Sequence, residues 1–130
     1  MMQRILVIDD DAMLRTCVVR YLEAFGHSTI TAEDGLNGER IAQSESPDLI
    51  LLDMRMPGRS GLSTLTALRA SAATSEIPVI MLSGCDDDLD AARRAGAVQV
   101  LLKPFSSREL EDAVARAIAA AGAPCTPLRP

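Results

Sequence analysis

The chain predicts an α/β domain built on a parallel sheet, and three observations carry that expectation. Strand-like apolar runs alternate with helical patterns from end to end, which is the signature of βα units. The runs Ile5-Leu6-Val7-Ile8, Leu49-Ile50-Leu51-Leu52 and Val79-Ile80-Met81-Leu82 are uninterrupted, as expected of strands buried on both faces. At 130 residues and 48% hydrophobic composition, the chain has the length and apolar content of one ordinary domain.

The elements follow in order. Residues 4–9 predict the first strand. From Ala12 to Phe25 the apolar positions Met13, Leu14, Cys17, Val18, Tyr21, Leu22 and Phe25 keep i, i+3, i+4, i+7 spacing, so an amphipathic helix is expected, stopped by Gly26. The segment 27–32 is β-prone. Asp34-Gly35 then marks a turn before a weak helix around 36–43, in which Gly38 is unfavourable. Pro47-Asp48 introduces the third strand, and Pro57, Gly58 and Gly61 bound the loop after it. Leu62, Leu65 and Leu68 give the next helix an inner stripe. Pro78 precedes strand 79–82, a place suited to a residue that cannot donate to a ladder. Asp86–Ala95 predicts a short helix with three acids in its first turn, matched to the helix dipole and closed by Gly96. Residues 98–102 form the last apolar run. Ser106-Ser107-Arg108-Glu109 fits a capping box, with Phe105 and Leu110 at staple spacing, and opens a helix running to about Ala121. The folded domain is therefore taken as residues 1–121. Residues 122–130, with three prolines, are expected to be a free tail or the stub of a linker.

Bulk properties exclude several functions. A net charge of -5 argues against direct nucleic-acid binding, which needs clustered Lys and Arg. Only Tyr21, Phe25 and Phe105 are aromatic, too few for a base-stacking platform. No apolar stretch approaches the ~20 residues of a membrane span, and no signal-peptide layout opens the chain, so a cytoplasmic protein is expected. Cys17, Cys85 and Cys125 are odd in number and widely spaced, which fits reduced thiols. His27 has no ligand partner nearby and is taken as a polar surface residue.

What the strand ends carry is chemical. Asp9-Asp10-Asp11, Asp53, Ser83-Gly84 and Lys103 each follow or close an apolar run, at the carboxyl ends where open α/β sheets bind ligands. Clustered carboxylates repel unless a cation lies between them, and an all-oxygen set with few side chains suits Mg2+. With that ion, Asp53 could attack a phosphoryl group through a carboxylate oxygen and become an aspartyl phosphate. Lys103 and the Ser83 hydroxyl would then serve the equatorial oxygens, and Gly84 would leave room and offer an N–H. Asp11 is read as the cap of the following helix rather than a metal ligand, and Asp86, Asp87, Asp88 and Asp90 as a solvated charge run.

From Ile5 to about Ala121 the chain resembles the receiver domain of two-component response regulators, the CheY-like superfamily. The motifs that carry the likeness are Val7-Ile8-Asp9-Asp10-Asp11 with Arg15, Leu51-Leu52-Asp53-Met54-Arg55-Met56-Pro57 with Gly61, Met81-Leu82-Ser83-Gly84, and Leu102-Lys103-Pro104-Phe105. The resemblance implies a flavodoxin-like (βα)5 fold, with strand order 2-1-3-4-5 and helices on both faces. It implies Asp53 as phosphoacceptor, and Asp9, Asp10, Asp53 and the backbone carbonyl of Arg55 as Mg2+ ligands. Ser83 would be the switch hydroxyl, Lys103 the phosphate-contacting lysine, and Lys103-Pro104 a cis peptide bond. A sensor histidine kinase or histidine phosphotransfer protein is the implied phosphodonor. The receiver is a signalling domain that catalyses only its own phosphoryl transfer and slow dephosphorylation, and phosphorylation-dependent dimerisation is an open expectation. Cys85, two residues past Ser83, and Arg55 stand where family members vary around the phosphate.

One residue departs from the pattern. Val100 stands where receivers carry Tyr or Phe three residues before the lysine, so the usual coupling of hydroxyl and ring is missing. Three other readings of these residues are open. A haloacid-dehalogenase-like phosphatase would need an acid two residues after the nucleophile, and Arg55 is there. A flavodoxin-type nucleotide or flavin module would need a Gly-rich loop after the first strand, where three acids stand instead. A degenerate receiver serving as a constitutive interaction module would retain the fold but not the phosphorylation.

Overall fold

The computed structural model describes residues 3–84 and 89–122 of the chain. Five βα units follow one another: β1 (Arg4–Ile8), α1 (Ala12–Ala24), β2 (Ser28–Ala32), α2 (Gly35–Glu45), β3 (Leu49–Asp53), α3 (Gly61–Ala70), β4 (Val79–Ser83), α4 (Leu89–Ala95), β5 (Gln99–Leu102) and α5 (Ser107–Gly122). All strand pairs are parallel, and the sheet order is β2-β1-β3-β4-β5. The predicted order and class are found.

Strand alternation divides the core in two. Ile5, Val7, Leu49, Leu51, Ile80 and Leu82 point to the side covered by α1 and α5, where Val18, Leu22, Leu110 and Val114 meet them. Leu6, Ile8, Ile50, Leu52, Val79 and Met81 point to the other side, against Ala42 of α2, Leu65 and Leu68 of α3 and Ala92 of α4. Burial on both faces explains why these strands are apolar without interruption. The edge strands β2 and β5 are only partly buried, and Thr29, Thr31 and Gln99 are tolerated there.

Local signals behave as physics predicts. Asp11 caps α1, its Oδ1 accepting from the amides of Met13 (3.0 Å) and Leu14 (3.2 Å). Asp34 caps α2 through the amide of Asn37 at 2.8 Å. The capping box of α5 is reciprocal: the Ser106 amide donates to Glu109 Oε1 at 2.9 Å and the Glu109 amide donates to Ser106 Oγ at 3.1 Å. Phe105 and Leu110 both join the core on that side.

Four expectations need correction or bounding. The inner face of α1 is narrower than its periodicity implies: Val18 and Leu22 are fully buried and Leu14, Tyr21 and Phe25 are partly buried against the same core, but Met13 is 83% exposed and Cys17 is exposed. Gly38 is no mere weakness in α2. A Cβ there would stand 2.7 Å from Cγ1 of Ile8, so its absence lets the helix lie directly on β1. His27 is half-buried rather than superficial, and its Nδ1 accepts from the amide of Gln3 at 3.1 Å. The acid run 86–88, Cys85 and the tail from 123 onward, including Cys125, lie outside the described residues; within them α4 begins at Leu89.

Candidate functional site

The carboxyl ends of β1, β3, β4 and β5 converge, and strand register sets what they present. Asp53 is the last residue of β3 and pairs with Leu82 of β4; Ser83 ends β4 and pairs with Leu102 of β5, so Lys103 follows immediately. The Lys103 amide donates to the Ser83 carbonyl at 2.7 Å, and the Met54 amide to that of Leu82 at 2.9 Å, which locks the three ends in step. The peptide bond Lys103-Pro104 is cis.

Asp53 is 4% exposed. Lys103 Nζ donates to its Oδ1 at 2.7 Å, the hydrogen-bonded ion pair expected where a buried carboxylate must be compensated. On β1's end, Asp9 is fully buried; its Oδ1 accepts from the Asp11 amide at 2.9 Å, while its Oδ2 is a buried oxygen with no hydrogen-bond partner among the described residues. Burial is the main cause that pushes the Asp9 carboxyl up to about 6, with the Asp53 charge acting the same way and the Asp11 amide and Lys103 opposing it. Carboxylate oxygens of Asp9, Asp10 and Asp53 lie within 4.8 Å of one another, and Asp10 opens the group to solvent. An orphaned buried oxygen within a cluster of hard donors fits a divalent cation of the Mg2+ kind.

Ser83 is buried beside the cluster, whereas Gly84 is exposed, with open space around it among the described residues even for a Cβ. Room for a substrate there does not depend on glycine. Arg55 follows two residues after Asp53 and its side chain is exposed. Val100 is half-buried against the core under α2, α3 and α4, so the place of the expected ring is filled by an aliphatic side chain.

Two supporting residues were not singled out by the sequence for what they do. Arg15 Nη1 donates to the Asp9 carbonyl at 2.7 Å, tying the first turns of α1 to the end of β1. Gly61 starts α3 directly against the end of β3: a Cβ would collide with the Asp53 carbonyl and lie 2.7 Å from Met54 Cα, and the Gly61 amide donates to the Met54 carbonyl at 2.8 Å. A glycine eight residues beyond a strand-end acid was visible in the sequence, but its contact was not.

A parallel five-stranded sheet with an acid cluster and a lysine across its switch point defines a receiver-type signalling domain. The response regulator receiver domain profile matches residues 5–115, and the chain belongs to that family. Among relatives, protein PilH of Pseudomonas aeruginosa is 37% identical over 111 residues, covering 84% of this chain and 92% of that protein. The phosphate regulon transcriptional regulatory protein PhoB of Klebsiella pneumoniae is 40% identical over 112 residues, and there the chain spans about half of the relative, 49%. Among solved structures, the receiver domain of sensor histidine kinase PA1611 from Pseudomonas aeruginosa has a TM-score of 0.85 at 29% identity, covering 92% of this chain and 99% of that one. That structure carries a magnesium ion coordinated in its active site cleft. Chemotaxis protein CheY4 of Vibrio cholerae gives a TM-score of 0.84 at 28% identity, over 90% of this chain and 99% of that one. No helix among the described residues is long and apolar enough to cross a membrane.

Proposed function

We propose that this receiver is a phosphorylation-activated switch in which Asp53 accepts a phosphoryl group from a histidine kinase or a histidine phosphotransfer protein. The observation that carries the reading is the grouping of Asp53 with Asp9, Asp10 and Lys103 in one cluster, buried at Asp9 and Asp53 and open to solvent at Asp10. An Asp53 oxygen attacks phosphorus, the P–N bond of the donor phosphohistidine breaks, and the imidazole leaves with the bonding pair and is protonated. Mg2+, held by Asp9, Asp10, Asp53 and the backbone carbonyl of Arg55, would neutralise the phosphoryl oxygens and make attack by an anion tolerable. Lys103 exchanges its carboxylate oxygen for a phosphoryl oxygen, and the Ser83 hydroxyl donates to another. Asp9 and Asp10 hold the cation side of the pocket.

The receiver unit is taken as residues 1–121, with 122–130 as tail or linker stub. Its place is the cytoplasm, its output is a change in the surface offered to a downstream protein or domain, and phosphorylation-dependent dimerisation is one form that output can take. Neither nucleic acid nor membrane is a direct partner of this chain. Beyond accepting and slowly losing its own phosphoryl group it has no enzyme activity.

The test is incubation with acetyl phosphate or phosphoramidate and Mg2+, read by intact mass. Wild type should gain one phosphate mass (about 80 Da) and Asp53→Asn none. An unmodified wild type, under conditions that phosphorylate a control receiver, sinks the proposal.

A further inference from the structure

Arg69, in the last turn of α3, spends its charge on main-chain carbonyls. Its Nε and Nη2 donate to the Gly96 carbonyl at 3.2 and 2.8 Å, and its Nη1 donates to the carbonyls of Ser75 and Ile77 at 3.2 and 2.7 Å. Ser75 and Ile77 belong to the segment that enters β4. Gly96 belongs to the turn between α4 and β5. A planar guanidinium engages several acceptors in one fixed geometry, which a flexible ammonium cannot reproduce. Next to it, Thr74 is fully buried and its Oγ1 donates to the Leu68 carbonyl at 2.6 Å, so the end of α3 is held from two sides.

The other end of α3 is equally constrained. Gly61 lies against the Asp53 backbone, and Leu65 and Leu68 are fully buried in between. A ten-residue helix spans about 15 Å, enough to reach from the phosphoacceptor end of the sheet toward its opposite end. Side chains packed this closely move with their helix.

We propose that α3 and Arg69 form a rigid link that carries displacement of the loop after Asp53 to the α4–β5 turn. Occupancy of Asp53 is thereby read at Gly96, Ala97 and Val98. Val98 is 47% exposed, and its amide donates to the Val79 carbonyl at 2.9 Å at the entrance to β5. The route runs through backbone and one guanidinium, so it needs no ring at Val100. It rests on Asp53 being the phosphoacceptor.

The experiment follows the amide resonances of Gly96 and Ala97 on adding beryllofluoride and Mg2+, with phosphorylation by acetyl phosphate followed by mass in parallel. Wild type should show a perturbation at Gly96. Arg69→Met should gain phosphate mass as wild type does, yet lose at least half of that perturbation. Arg69→Lys should fall between the two, and it keeps the test open if the Met variant does not fold. Thr74→Val, which loosens the same loop but keeps the guanidinium, should respond fully; this separates coupling from loss of stability. A Gly96 response of wild-type size in both Arg69 variants overturns the link, as does a phosphorylated wild type with a silent Gly96. A wild type that gains no mass overturns the phosphoacceptor reading itself.

Discussion

Replacing Asp9 with Asn should stabilise the metal-free protein at neutral pH and remove its stabilisation by Mg2+. Asn retains an oxygen to accept the Asp11 amide, so the substitution removes chiefly the buried charge. In the fold the Asp9 carboxyl titrates at about 6 instead of 3.8. A raised folded-state value means that its contribution is fully present below 3.8 and lost as pH rises through about 6. The shift is roughly 2 units at about 1.4 kcal/mol each, so ionising Asp9 costs the empty site on the order of 3 kcal/mol. In EDTA, the variant's advantage over wild type should therefore grow from near zero at about pH 4 to roughly 3 kcal/mol at about pH 7.5. With a urea slope of about 2 kcal/mol/M, the midpoints would separate by about 1.5 M. Saturating Mg2+ should close nearly all of that gap, since a ligand at about 100 times its Kd adds about 2.7 kcal/mol to wild type only. Parallel urea profiles for the two proteins across this pH range in EDTA would refute the account of a strained, cation-seeking carboxylate.

Gly38→Ala sets two effects against each other: helix propensity favours Ala by about 1 kcal/mol, but overpacking against Ile8 costs about 1–3 kcal/mol, so chemical denaturation should show net destabilisation. Ser106→Ala removes half of the α5 capping box and should cost about 1 kcal/mol, while the phosphate mass gained from acetyl phosphate stays unchanged. Burial first, and the N-terminal charge second, hold the His27 imidazole below its ordinary 6.5, opposed by Glu111; a lowered value means stability present above 6.5 and lost as pH falls. Wild type should therefore lose stability relative to His27→Gln between about pH 7 and pH 5, and a flat difference would show that the neutral acceptor for Gln3 is unimportant.

The sheet and its strand ends were legible in the residues because buried parallel strands require unbroken apolar runs, and the polar residue that ends each run stands out against them. Strand order was not readable from those runs; it came with the receiver motifs. Helix faces were less legible. Of the stripe from Met13 to Phe25, Val18 and Leu22 are fully buried, Leu14, Tyr21 and Phe25 only partly, and Met13 and Cys17 lie open, because periodicity reports which residues share a side and not how much of that side a neighbour covers. Nothing in the sequence singles out Arg69. Its partners are carbonyls, and a carbonyl has no signature in a sequence. The strand-end motifs bring Asp53 and Lys103 to one site, but their direct ion pair across fifty positions has no signature in the sequence.

That register makes the sheet a ruler. Neighbouring strands stand about 4.8 Å apart, so three consecutive strand ends carrying Asp53, Ser83 and Lys103 span roughly 10 Å, the scale of a phosphoryl group and its immediate contacts. Spacing of this kind survives drift in helix surfaces and loop lengths. It does not survive the loss of one residue within β3 or β4, since a single-step slip turns every side chain of the strand to the opposite face. Selection on such a domain should accordingly tolerate substitutions far better than deletions wherever a strand approaches the pocket.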